Sequence, residues 1–121
     1  MKVHTALGPG LLESVYKKCL RHEVSKRGFR VQSQVWLPVV YDGIEMEGSY
    51  KMDLLVEGQV IVELKVVEQI LEVHKAQLLS YLKLADKQVG LLINFNVVHL
   101  PDGIRRLANH HQSSASSAVM V

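Results

Sequence analysis

Three charged residues near the middle of the chain, Asp53, Glu63 and Lys65, have the types and spacing to do chemistry. Glu63 and Lys65 stand two apart in Val60-Ile61-Val62-Glu63-Leu64-Lys65-Val66-Val67, a run otherwise wholly apolar. Alternation along a strand puts Ile61, Glu63, Lys65 and Val67 on one face and Val60, Val62, Leu64 and Val66 on the other. Taking an ion out of water costs on the order of several kcal/mol even after relaxation, so two ionic side chains in such a strand need partners. Asp53 lies upstream in a second alternating run. With Gly58 at the centre of the intervening turn, antiparallel pairing places Asp53 opposite Glu63. Facing side chains have Cβ atoms about 4.5–5.5 Å apart. Two carboxylates that close raise each other's pKa unless a cation lies between them. Lys65 supplies one positive charge and a divalent ion two more. Hard oxygen donors, without a thiolate or histidine cluster, suit Mg²⁺ or Mn²⁺ rather than zinc. The competing arrangement is a solvated strand face on which Lys65 pairs with Asp53 or Glu63. The apolar flanks and the facing Asp53 argue against it.

Other residues join this set with less force. Glu13 opens the helix that begins near Leu11; an acid there favours the positive end of the helix dipole. Tyr16, three residues on, shares its face, which is otherwise apolar, so an inward-pointing Glu13 is equally open. Gln77 and Tyr81 are spaced i, i+4 on the helix after the Glu-x-Lys strand and therefore share a face. They either sit at the helix rim in solvent or project over the sheet to orient a phosphate or water. His74 reads as a surface or helix-capping residue.

The elements that must position these residues follow from periodicity. Residues 1–7 read as a helix end, broken by Gly8-Pro9-Gly10. Leu11, Leu12, Val15, Tyr16, Cys19, Leu20 and Val24 keep a helical period up to Gly28. Val31 to Tyr41 alternates through Val31, Val35, Leu37 and Val39 and ends at Asp42-Gly43, a hairpin signal. Ser49 to Val56 alternates through Tyr50, Met52, Leu54 and Val56. Glu57-Gly58-Gln59 turns the chain into the Val60 strand. A helix fits Glu72 to Leu84, with Val73, Ala76, Leu78, Leu79 and Leu82 as its buried side. Gln88 to Phe95 reads as a buried strand. Asp102 is placed to cap a last short helix, Gly103 to Ala108. Residues 1–109 make one domain, and 110–121, Ser/Ala-rich and aperiodic, a loose tail. The order predicts an α/β fold with a mixed central sheet flanked by helices.

At 121 residues, 48% hydrophobic and 21% charged, the composition is that of one folded domain rather than a disordered chain. A net charge of only +2 gives no global basic field, so any nucleic-acid contact must be local. Lys17, Lys18 and Arg21 on the first long helix, and Arg105 with Arg106 near the end, offer such contacts, though ordinary solvated helix surface is the simpler explanation of them. The single Cys19 excludes an internal disulfide and reads as a buried, inert thiol in a reducing, cytoplasmic setting. No run approaches the roughly 20 apolar residues of a membrane span, and the first residues lack the apolar core of a secretion signal.

Taken in order, Gly10-x-x-Glu13-x-x-Tyr16, Asp53, Glu63-Leu64-Lys65, the helix Val73-His74-Lys75-Ala76-Gln77-Leu78-Leu79-Ser80-Tyr81-Leu82, and Gly90-Leu91-Leu92-Ile93-Asn94-Phe95-Asn96 resemble the GxxExxY family of the PD-(D/E)XK nuclease superfamily. The similarity spans about residues 4 to 108. The Gln-x-x-x-Tyr helix is similar to that of exonuclease domains in bacterial helicase-nuclease machines. The resemblance implies a restriction-endonuclease-like core and a Mg²⁺- or Mn²⁺-dependent phosphodiesterase acting on nucleic acid, DNA foremost. It implies Glu13, Asp53, Glu63 and the Leu64 carbonyl around the metal, Lys65 assisting the attacking water, and Gln77 and Tyr81 at the substrate. A homodimer is left open. Two departures stand out: Lys51-Met52, not a proline, precedes Asp53, and the chain begins late in the helix that normally precedes Gly8. From a different class, a catalytically silent nucleic-acid-binding or regulatory module would keep this fold without turnover.

Overall fold

The computed structural model describes residues 2–46 and 50–109. The proposed tail at 110–121 and the residues 47–49 lie outside them. The chain forms α1 (Lys2–Leu7), α2 (Glu13–Lys26), β1 (Val31–Leu37), a hairpin of β2 (Val40–Tyr41) and β3 (Ile44–Glu45), β4 (Tyr50–Val56), β5 (Val60–Lys65), α3 (Glu72–Ala85), β6 (Val89–Asn94), a 3₁₀ turn (Leu100–Gly103) and β7 (Ile104–Ala108). The main sheet has the order β1-β4-β5-β6-β7; β5 and β6 are parallel across α3, and every other pair is antiparallel. This is the mixed sheet flanked by helices expected from the residue pattern.

Local chemistry sets the boundaries. Gly8 and Gly10, with φ +68° and +97°, turn the chain from α1 into α2. The Tyr16 hydroxyl locks that turn, donating to the Gly8 carbonyl and accepting the Leu11 N–H at 3.1 Å. Its ring is fully buried and stacks on Phe95 at 4.6 Å. Pro38, which has no N–H to give to a ladder, follows the end of β1. Asp42 and Gly43, both with positive φ, then close the small hairpin. Among the described residues, no helix is long and apolar enough to cross a membrane.

The core has two halves, one on each side of the sheet. Val3 of α1 and Tyr16 of α2 pack with Leu54, Val62, Leu64 and Ile93. Leu78, Tyr81 and Leu82 of α3 pack with Leu37, Met52, Leu55, Ile61 and Leu92. The α3 side corrects the expected helix face, since Val73 is 65% exposed and Ala76 is exposed too. Gly90 lets α3 come down onto β6: a Cβ there would meet Leu78 at 3.0 Å.

Two further expectations fail. Residues Ile104–Ala108 form the edge strand β7, not a helix, and pair with β6 from Val89↔Ala108 to Ile93↔Ile104. Five residues are too few for periodicity to separate helix from strand, and the backbone groups along that edge of β6 need a partner. The Arg105 guanidinium folds back to donate to the carbonyls of Asp102 (2.9 Å) and Ile104 (3.0 Å). Nor do Tyr50, Met52, Leu54 and Val56 form one row. Met52 lies in the α3-side cluster and Leu54 in the α2-side cluster, and in β1 Val31 and Val35 divide in the same way. The change of face falls between Ser33↔Leu54 and Val35↔Met52, at Gln34, whose φ is +55°, and at Asp53 opposite it.

Candidate active site

The turn through Glu57 and Gly58 sets the β4–β5 register, with Leu54 facing Val62, Leu55 facing Ile61 and Val56 facing Val60. The next pair is Asp53 and Glu63. There the ladder gives way to side chains: the Asp53 N–H donates to Glu63 Oε1 at 3.2 Å, and the Leu64 N–H donates to Asp53 Oδ2 at 2.9 Å. Two carboxylates thus occupy the seam where backbone carbonyls would normally sit. A strand residue sends its N–H and C=O toward the same neighbour, so the Leu64 carbonyl also leaves β5 on the Asp53 side. The Lys65 carbonyl goes the other way and accepts the Phe95 N–H.

Glu63 is buried, and its carboxyl is pushed up to about 9. Burial is the main cause; a hydrogen bond to Asp53 and the charge of Asp53 add to it, and Lys65 opposes. Lys17 Nζ lies 2.9 Å from Asp53 Oδ1 in a pair whose side chains are mostly shielded from solvent. Lys65 Nζ reaches Gln77 Oε1 at 3.5 Å. Among the described residues, no carboxylate lies within ion-pair distance of Lys65. The arrangement in which Lys65 pairs with Asp53 or Glu63 is therefore not the one adopted.

Tyr81 projects from the buried side of α3 toward the same place. Its hydroxyl is held above its usual pKa, first by burial and then by the nearby charge of Glu63. Gln77 bonds it and pulls the other way. Glu13 is exposed as a residue, yet its carboxyl is also raised, by partial burial first and then by Asp53; Lys17 and Lys65 lower it. The structure therefore brings Asp53, Glu63, Lys65, Gln77 and Tyr81 together and sets Glu13 at the margin, within electrostatic reach. Among the described residues, no three acidic, histidine or cysteine side chains close around one point.

His74 is a cap: its Nδ1 accepts the Leu71 N–H at 2.9 Å at the start of α3. Three residues were not assigned to the site from the chain alone. Lys17 reads from the chain as a nucleic-acid contact or plain helix surface, yet it follows Glu13 by four and must share its face. Tyr50 sets its ring 5.6 Å from that of Tyr81. Asn94, buried, bonds both the N–H and the C=O of Val67 and fixes the segment that leaves β5 for α3. A long-range tether of this kind has no local signal. Arg105 and Arg106 lie on β7, two strands from β5.

The oxygen donors fit a hard divalent ion: the Asp53 and Glu63 carboxylates, the Leu64 carbonyl and, with a shift of its side chain, Glu13. The buried Glu63 carboxyl, kept from ionising by burial and by the facing Asp53, is the feature such an ion would relieve.

An acidic residue and a Glu-x-Lys on adjacent strands of a mixed sheet, with a helix laid over them, define a restriction-endonuclease-like fold. Residues 1–107 match the family model of the PD-(D/E)XK nuclease superfamily, and the chain belongs to it. No curated protein and no solved structure matches the chain.

Proposed function

We propose that the protein is a Mg²⁺- or Mn²⁺-dependent phosphodiesterase that cleaves DNA, of the GxxExxY branch of its superfamily. The observation that carries this reading is the Asp53–Glu63 pair in the β4–β5 seam, flanked by Lys65. Asp53, Glu63 and the Leu64 carbonyl would hold the ion, with Glu13 completing or positioning the set. The ion would supply Lewis acidity toward a phosphate oxygen and a water. Lys65, steered by Gln77, directs its ammonium to that water or to charge developing on the phosphate. The Tyr81 hydroxyl keeps its proton and donates it in a hydrogen bond to the substrate or its water. Every one of these residues comes from a single chain, so the reading does not require a homodimer. A cytoplasmic setting suits the lone Cys19, packed against the α2-side core.

The test is incubation of the purified protein with linear, circular and single-stranded DNA, and with RNA, with and without Mg²⁺ or Mn²⁺. Cleavage of DNA only with metal, lost in Asp53→Asn, is the expected result. Tight DNA binding without metal-dependent turnover would replace the enzyme by a binding module.

A further inference from the structure

We infer that Lys17 is a built-in competitor for the cation site: its ammonium group holds Asp53 Oδ1, and a divalent ion must displace it to bind. The inference rests on the reading above that a hard cation binds between Asp53 and Glu63. Asp53 has two oxygens to offer. Oδ2 accepts the Leu64 N–H at 2.9 Å, which ties it to the strand. Oδ1 carries no such backbone tie, and Lys17 Nζ sits on it at 2.9 Å.

An Mg²⁺ ion bound to Oδ1 at about 2.0–2.1 Å would lie within about 5 Å of that ammonium if Lys17 stayed in place. Two positive centres so close, in a setting only 13–21% exposed, repel strongly. One must leave. Asp53 cannot turn away without giving up the Leu64 N–H, whereas Lys17 sits at the end of a flexible four-carbon stem on α2. One helical turn before it α2 is exposed at Glu13, so the displaced ammonium has a short way out to solvent. From there the ammonium faces the mouth of the site, where it can meet a substrate phosphate.

Competition of this kind is reciprocal. Whatever affinity Lys17 takes from the ion, the ion takes from the Lys17–Asp53 pair. Lys17 is thus a positioning residue, acting through Asp53, and metal affinity is the quantity that exposes its role.

The experiment is calorimetric titration of Mn²⁺ alone into the full chain as wild type, Lys17→Met, Lys17→Arg, Lys18→Met and Asp53→Asn. Circular dichroism confirms folding, and Lys17→Gln replaces Lys17→Met if the latter misfolds. Lys17→Met should bind Mn²⁺ about tenfold more tightly than wild type, a middling coupling between sites. Lys17→Arg, which keeps the charge, should bind no more tightly than wild type. Lys18→Met, on the exposed surface one residue along, should bind as wild type does. Unchanged or weaker binding by Lys17→Met, with binding still lost in Asp53→Asn, overturns the competitor and leaves the cation site standing. An equal gain in Lys18→Met overturns it too, since the effect would then be bulk charge. Absence of binding in every protein overturns both readings.

Discussion

The two ends of the β4–β5 pair are built from the same strands and behave differently. Near the turn, Leu54 to Val56 and Val60 to Val62 form a regular ladder whose side chains enter the two halves of the core. At the far end, Asp53 and Glu63 replace ladder bonds with side-chain bonds, and the order of faces in β4 reverses. One end contributes stability and the other gives up regularity to hold two carboxylates. The lesson is that a buried acidic pair is held by strands whose pairing is secured elsewhere.

Substitutions at neighbouring positions should separate the two ends. Asp53→Asn should abolish metal-dependent hydrolysis, a loss of at least about 10²–10³, while leaving the melting temperature near that of wild type. Leu54→Ala, one residue along and fully buried, should do the reverse: about 2–5 kcal/mol of stability lost, with Mn²⁺ affinity retained in the folded fraction. Parallel melting and cleavage assays check both; a large melting shift in Asp53→Asn would mean the two ends are not separable.

Within the site end, Lys65→Ala separates charge balance from chemistry. Its Nζ touches Gln77 and, among the described residues, no carboxylate, so stability and metal affinity should change little while cleavage falls by about 10². Retained cleavage would make Lys65 a charge balance only.

A separate effect should appear in metal-free protein as pH is raised. Glu63 ionises near 4.5 in the unfolded chain and near 9 when folded, so between those values the folded state holds the extra proton. Stability is therefore full below the unfolded value and falls as pH climbs through that window. Melting in EDTA across this range should show the decline in wild type and a flatter curve in Glu63→Gln. Coincident curves would show that the pair is not the source.

The smallest change expected is Tyr16→Phe, which deletes the hydroxyl clamping the Gly8–Leu11 turn. It should cost about 1–3 kcal/mol in thermal melts and leave the ring stack on Phe95 in place. A cost confined to the metal-bound state would instead assign the clamp to the site.

Much of the regular end was legible in the chain. Turn residues at 57–59 set the register, and from it the meeting of Asp53 with Glu63 followed. Gln77 and Tyr81 were legible because helical spacing is rigid. What was not legible depends on contacts far apart in sequence. The identity of β7 is decided by the edge of β6, the switch of face by a left-handed Gln34, and the position of Lys17 by how α2 docks on the sheet. The exposure of Val73 follows from α3 meeting the sheet through its later turns, at Leu78, Tyr81 and Leu82.

The placement of Arg105 and Arg106 on β7 has a consequence for how this molecule behaves in a crowd. An edge strand is a template on which a stranger's strand can add, and sheets that stack edge to edge grow into aggregates. Here β7 closes the order of the sheet, and both arginines on it are exposed. Arg105 covers the carbonyls of Asp102 and Ile104 with its own guanidinium. An incoming strand would meet two adjacent, exposed positive charges. Like charges at that edge disfavour edge-to-edge addition of a second copy as the protein is concentrated.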